Sequence, residues 1–301
     1  MVAGGHAAHL TRQIFGQLWP WVATHADEAN PFPASKLPIV HDAILARCDM
    51  LDGVKDGVLE NPLACTFDSQ ELACTGADGP GCLTAAQVDA VRKIYEGPIN
   101  PRTNERIWSP LYPGSELDWK FFVDSTNPIG IATNMLRIIK QDPDWDVRRT
   151  PIDWDRDVEL ADRSDMARLN ASNPDISEYV RRGGKLILSG GWSNALVPAG
   201  AVLDYYTRVE ATIGRSDTQH AVRLYMVPGM SECNGGPGTD TFDLLTVMRR
   251  WVERGEAPHE VRASRVEHGT VVRTRPLCPY PLVTTYTGSG STDDASSFVC
   301  R

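Results

Sequence analysis

Several features are missing from this 301-residue sequence, and each absence removes a class of protein. No apolar run approaches the roughly 20 residues that a membrane-spanning helix requires. Basic residues are outnumbered: 30 Lys and Arg stand against 39 Asp and Glu, for a net charge of −9. Such an acidic surface argues against nucleic acid and against anionic membranes as partners. No Cys-x-x-Cys pair with a downstream His occurs, so zinc is a poor reading of the cysteines. The opening string, MVAGGHAAHLTRQ, has neither the basic nor the sustained apolar region of a signal peptide. Internal repeats and low-complexity tracts are also absent.

The remaining composition is that of a folded globule, 42% apolar and 23% charged, and the length suits one large domain or two moderate ones. Cysteine is present seven times, as Cys48, Cys65, Cys74, Cys82, Cys233, Cys278 and Cys300. Polar loops are an unusual place for buried free thiols, so an oxidising compartment is expected, with at least one cysteine left over. Disulfides without an export signal conflict, and the expectation is that an N-terminal segment lies outside this sequence.

Hydrophobic spacing predicts the elements. Leu10, Ile14, Leu18 and Val22 recur at helical intervals. Residues 26–36 read as loop, 37–48 as a short helix and 49–86 as coil. Residues 83–97 read as a helix capped by Thr84 and followed by Gly97. A helix is expected near 129–141, and 151–172 reads as a polar connector. From 173 to 255 the order is helix, strand, helix, strand, helix, with KLILSGG and AVRLYMVPG as buried strands and Gly255 as the last helix stop. That order signals a parallel α/β layer. Residues 287–297 read as a surface loop.

Asp49, Asp52 and Asp56 crowd a loop that also holds Gly53 and Gly57. Like charges this close either hold a hard cation, for which oxygen ligands suit calcium, or form a solvated acidic turn. The spacing is not that of an EF-hand.

Several strings together resemble the tannase/feruloyl esterase family, which also includes the terephthalate monoester hydrolase. They are CDMLDGVKDGV (48–58), CLTAAQVDAVRKIYEGP (82–98), GGKLILSGGW (183–192), YMVPGMSEC (225–233), and RTRPLCPYP with GSGSTDDASSFVC (273–300). The resemblance implies an α/β class: the C-terminal part of an α/β-hydrolase core plus a large, loop-rich, disulfide-stapled lid. Residues 1–7 would be a remnant of the core, with Met1-Val2-Ala3-Gly4 the end of a core strand. Residues 8–172 would be the lid and 173–301 the last part of the core, and a two-strand remnant of parallel sheet is expected to expose an apolar edge and to be poorly soluble. It implies a structural Ca²⁺ held by the side chains of Asp49, Asp52 and Asp56 and the carbonyls of Val54 and Val58. It implies the pairs Cys48–Cys65, Cys74–Cys82 and Cys278–Cys300, with Cys233 unpaired. A secreted or periplasmic location and a small aromatic ester as ligand go with it.

The same resemblance points to a dismantled esterase site. A serine esterase needs a nucleophile on a strand-to-helix elbow, a histidine base and an acid to orient it. No Gly-x-Ser-x-Gly occurs, and Gly190-Gly191-Trp192-Ser193 lacks the elbow spacing. Asn194 stands where the family has its Asp, and Glu232 where it has its His. Asn brings no negative charge to an imidazolium, and Glu replaces His as a proton shuttle only if strongly desolvated. The expectation is therefore an aromatic-ester hydrolase relative with a degenerate triad. The alternatives are a non-catalytic ligand-binding protein, or an enzyme using Glu232 as acid/base. Trp192 is expected to pack at the strand end. His6 and His9 read as helix or loop surface, and His25, His41, His259 and His268 as ordinary surface residues. His220 is expected at the opposite end of the sheet from the site. Asn170-Ala171-Ser172 is a glycosylation sequon.

Overall fold

The computed structural model describes residues 1–26, 32–123 and 126–301. At its centre is a parallel sheet of three strands, β1 (Val2–Gly4), β2 (Leu186–Gly191) and β3 (Val222–Val227), in that spatial order. Every residue of β2 is buried, as a strand covered on both faces must be. Side chains alternate between the faces. Leu186, Leu188 and Leu224 pack under α8 (Ala199–Ile213), while Ile187, Tyr225 and Val227 pack under α10 (Leu244–Arg254). Two short helices, α7 (Ser177–Arg181) and α9 (Arg215–Ala221), lead into β2 and β3. The two strands read from hydrophobic runs are joined by a third, at the Met1–Gly4 segment expected to end a strand. Val2, Ala3 and Gly4 pair in register with Ile187, Leu188 and Ser189.

Between β1 and β2 the chain builds a helical body. It comprises α1 (Leu10–Thr24), α2 (Leu37–Cys48), α3 (Ala85–Glu96), α4 (Lys120–Val123), α5 (Gly130–Lys140) and α6 (Arg156–Arg163). α1 is central, burying Ile14, Phe15, Leu18 and Trp21 against Leu136, Ile139 and Val158. A second cluster joins α2 and α3 around Trp119 and Phe122. α3 carries the expected cap, with Thr84 accepting from the Gln87 N–H and the Gln87 side chain accepting in return. The connector expected over 151–172 instead contains α6, whose Val158 and Ala161 are buried one turn apart. The loop expected over 26–36 lies partly outside the described residues, and its end, Ala34–Lys36, is a single 3₁₀ turn.

After α10 the chain adds two antiparallel pairs, β4 (Val261–Glu267) with β5 (Thr270–Leu277), and β6 (Thr284–Tyr286) with β7 (Phe298–Cys300). The first turns through His268 and Gly269, both with positive φ. That is the twist a two-residue hairpin connection needs.

Candidate functional site

β2 and β3 end side by side, and the chain leaving each one carries a residue singled out from the sequence. Beyond β2, the Trp192 N–H donates to the Val227 carbonyl and the Ser193 N–H to that of Met230. Gly191 sits so close to this second chain that a Cβ would collide with the carbonyl oxygens of Met230 and Ser231. Asn194 follows and is buried. Its Oδ1 accepts from the N–H groups of Leu196 and Val197, each at 2.9 Å, closing the turn into α8. Its Nδ2 lies 3.5 Å from the main-chain oxygen of Glu232. The two positions therefore meet at one end of the sheet. The Glu232 side chain is exposed and shares a shallow cleft with Gly5, Ser189 and Cys233. Exposure leaves it solvated, so the desolvation that acid/base use of Glu232 would require is missing. His220 is at the far end, where Lys185 donates to its carbonyl. Trp192 is buried as expected, with the Tyr112 ring edge-on to it at 5.5 Å.

The helical body grips this strand end through a buried polar chain that sequence reasoning missed. The Ser193 hydroxyl donates to the Gly114 carbonyl at 2.9 Å. The Gly114 N–H donates to Glu116 Oε1 at 2.8 Å, and the Tyr95 hydroxyl donates to the same oxygen at 2.6 Å. Glu116 Oε2 lies 2.7 Å from His41 Nδ1. Glu116 has no solvent exposure, and His41, read from the sequence as a surface residue, is buried beside it. Burial alone would lower the His41 pKa, but the hydrogen bond and charge of Glu116 outweigh it and raise it. The partners lie 75 residues apart, so nothing local in the sequence marks the pair. His6 and His25 also differ from the surface reading. Each is half-buried and stacks on a ring, Tyr205 and Trp21 respectively.

The acidic loop starts as a 3₁₀ turn over Asp49–Asp52 and bends at Gly53 and Gly57, both left-handed. The buried side chains of Val54 and Val58 anchor it. Asp49 is buried and accepts from the N–H groups of Asp56 and Gly57. Asp52 accepts from Val54, and Asp56 from Val58. The outer oxygen of Asp56 meets Arg275 at 2.6 Å and Arg273 at 3.4 Å. The three carboxylates thus share one loop but do not converge. Among the described residues, the one trio of His, Cys, Asp or Glu ligand atoms within 4.8 Å of one another is Cys74, Asp78 and Cys82. Both of those sulfurs are spent in a disulfide. Negative charge nonetheless remains in surplus. Burial, then repulsion from Asp56 and Asp49, pushes Asp52 up to about 6. Glu60, two residues past the loop, is pushed up to about 8 by desolvation, with Asp52 adding to it. An all-oxygen donor set whose negative charge is only partly offset by Arg273 and Arg275 fits a hard cation such as calcium.

Three disulfides are formed, Cys48–Cys65, Cys74–Cys82 and Cys278–Cys300, and Cys233 is free and exposed. The sequon residue Asn170 is engaged on both sides of its amide by the Thr11 N–H and hydroxyl. It caps the start of α1 from 159 positions away.

A family model described as tannase and feruloyl esterase matches residues 3–301. The chain is 32% identical to an uncharacterized esterase of Xanthomonas campestris pv. campestris, over 100% of its own length and 60% of that protein. It is 33% identical to a mono(2-hydroxyethyl) terephthalate hydrolase of Piscinibacter sakaiensis, over 89% of itself and 52% of that protein. Among solved structures, feruloyl esterase B from Aspergillus oryzae superposes with a TM-score of 0.89 at 27% identity, covering 100% of this chain and 63% of the other. An esterase from the same organism superposes with a TM-score of 0.91 at 25% identity, again over 100% and 63%. The chain thus spans between 52% and 60% of the length of these two curated relatives.

Proposed function

Because the chain belongs to the tannase and feruloyl esterase family, we propose that it descends from a carboxylic ester hydrolase for aromatic acid esters and carries a dismantled catalytic site. The observation that carries this reading is the meeting of Asn194 and Glu232 at the shared end of β2 and β3. In this reading those two positions are the former acid and base, and these 301 residues hold no Gly-x-Ser-x-Gly elbow. Residues 1–7 and 173–301 are then parts of an α/β-hydrolase core and 8–172 its lid, held against the strand end by the Ser193–Gly114–Glu116 chain. Calcium, held by Asp49, Asp52, Asp56 and the Val54 and Val58 carbonyls, orders a lid segment with little apolar core of its own. The three disulfides support a secreted or periplasmic setting.

Asn194 cannot carry the charge that stabilises an imidazolium, and its Oδ1 is committed to the backbone of the next turn. Glu232, solvated and with no side-chain partner among the described residues, is no substitute for an imidazole. The chain should give no turnover of methyl ferulate or methyl gallate above the buffer rate, and robust hydrolysis would overturn the reading. The exposure of Glu232 favours a second reading, a ligand-binding protein without chemistry, over an acid/base role for Glu232. Stabilisation by an aromatic ester without product supports the binding reading. Product formation abolished by Glu232→Gln would restore the acid/base one.

A further inference from the structure

We propose that the cleft between residues 106–112 and the first half of α8 is a second small-molecule site, apart from Asn194 and Glu232, that takes a single-ring aromatic carboxylate. The cleft encloses about 420 Å³, within the range of small-ligand sites. Trp108, Tyr112, Tyr205 and Tyr280 line it. Three of these rings are braced from behind: Tyr205 by His6 at 4.7 Å, Tyr112 by Trp192 at 5.5 Å and Tyr280 by Tyr206 at 5.9 Å. Aromatic walls fixed in advance lose little rotamer freedom when a ring enters.

Charge sets the ligand's other end. The protein is acidic, with a net charge of −9, yet this cleft carries two guanidiniums, Arg106 and Arg208, against one carboxylate, Asp204. Arg208 faces Asp204 at 3.7 Å and donates to the Ser172 carbonyl at 3.1 Å. Arg106 has no ion pair or hydrogen bond among the described residues. A planar guanidinium without a partner beside aromatic walls matches a carboxylate on a ring. The hydroxyls of Ser109 and Tyr112 press against Gly200, where any Cβ would strike both. Bare backbone at that point lets the two hydroxyls stand at the cleft wall. Burial raises the Tyr112 phenol, so it remains a proton donor at neutral pH. The cleft therefore favours an ionised aromatic acid over its neutral ester. This inference does not rest on the reading of Asn194 and Glu232.

The test is titration of 4-hydroxybenzoate into the purified chain, followed by tryptophan fluorescence and calorimetry. Saturable binding is expected, weakened about tenfold by Arg106→Gln through loss of a charge-assisted contact. Methyl 4-hydroxybenzoate should bind about as weakly to the unaltered chain, and Glu232→Gln should leave acid binding unchanged. The side chain of Arg106 is exposed, so its replacement should not disturb folding. If it does, the acid-to-ester ratio on the unaltered chain decides alone. No saturation at millimolar acid, equal affinity for acid and ester, or loss of binding with Glu232→Gln in place of Arg106→Gln would overturn the proposal.

Discussion

Glu116 concentrates the consequences of a single side chain. A carboxylate without solvent is costly unless its oxygens are paired, and here His41, Tyr95 and the Gly114 N–H supply the pairing. Facing His41 are the charges of Glu116, Asp42 and Asp49, all of which raise its pKa against the pull of burial. The folded value is thus above the unfolded one. The pair's contribution to stability is full below the unfolded value and is lost as pH rises through the raised folded value. Glu116→Gln should cost about 3 kcal/mol in denaturant unfolding, the scale for breaking a buried pair. It should also move the His41 ring titration in NMR downward, and an unmoved titration would remove the pair from the account. Asn194 and Glu232 were singled out through the family resemblance of the strings GGKLILSGGW and YMVPGMSEC, each of which runs on from a buried strand. The burial of His41 was not, since it depends on a carboxylate 75 residues away.

Elements differ in how much of their stability is local. α3 was legible because Thr84, Gln87 and Gly97 lie within its own sequence and cap it. α6 was missed because only Val158 and Ala161 mark its apolar stripe, and polar residues elsewhere hide the period. The β4–β5 hairpin had an overlooked signal in His268-Gly269, a two-residue turn between alternating segments. The acidic loop is the extreme case of non-local support, since it depends on disulfides, arginines from β5 and, as proposed, a cation. Millimolar calcium should raise the midpoint of thermal unfolding and chelator should lower it. At a hundredfold excess over the dissociation constant the gain is about 2.7 kcal/mol. Asp52→Asn should abolish the calcium response, and an identical response in that variant would reject the ligand set. Calcium should also remove the protonation preference of Asp52, so that stability between pH 4 and 6 depends less on pH when calcium is bound.

At the scale of the whole molecule, β1 is the outer strand of the central sheet, and among the described residues no strand pairs with its free edge. Unpaired strand edges recruit other chains. Sedimentation should reveal concentration-dependent association, reduced by Val2→Lys, and a monomer at all concentrations would show the edge to be harmless. The α/β order of 173–255 was readable because each strand and helix there is a continuous local pattern. The third strand was expected only through the resemblance, at Met1–Gly4, because three residues are too few to show a period and they pair with residues about 185 positions away.

Arg275 and Asp56 are 219 positions apart, which imposes an order of events during translation. At 5–20 residues per second, the acidic loop emerges roughly 10 to 45 s before its guanidinium partner. In that interval the crowded aspartates have only solvent, the nearby Cys48–Cys65 bridge and any available cation to restrain them. A ribosome-arrested chain ending before Arg275 should therefore be cut by trypsin at Lys55 faster than the released protein, and equal rates would show that the loop sets without its distant counter-charge.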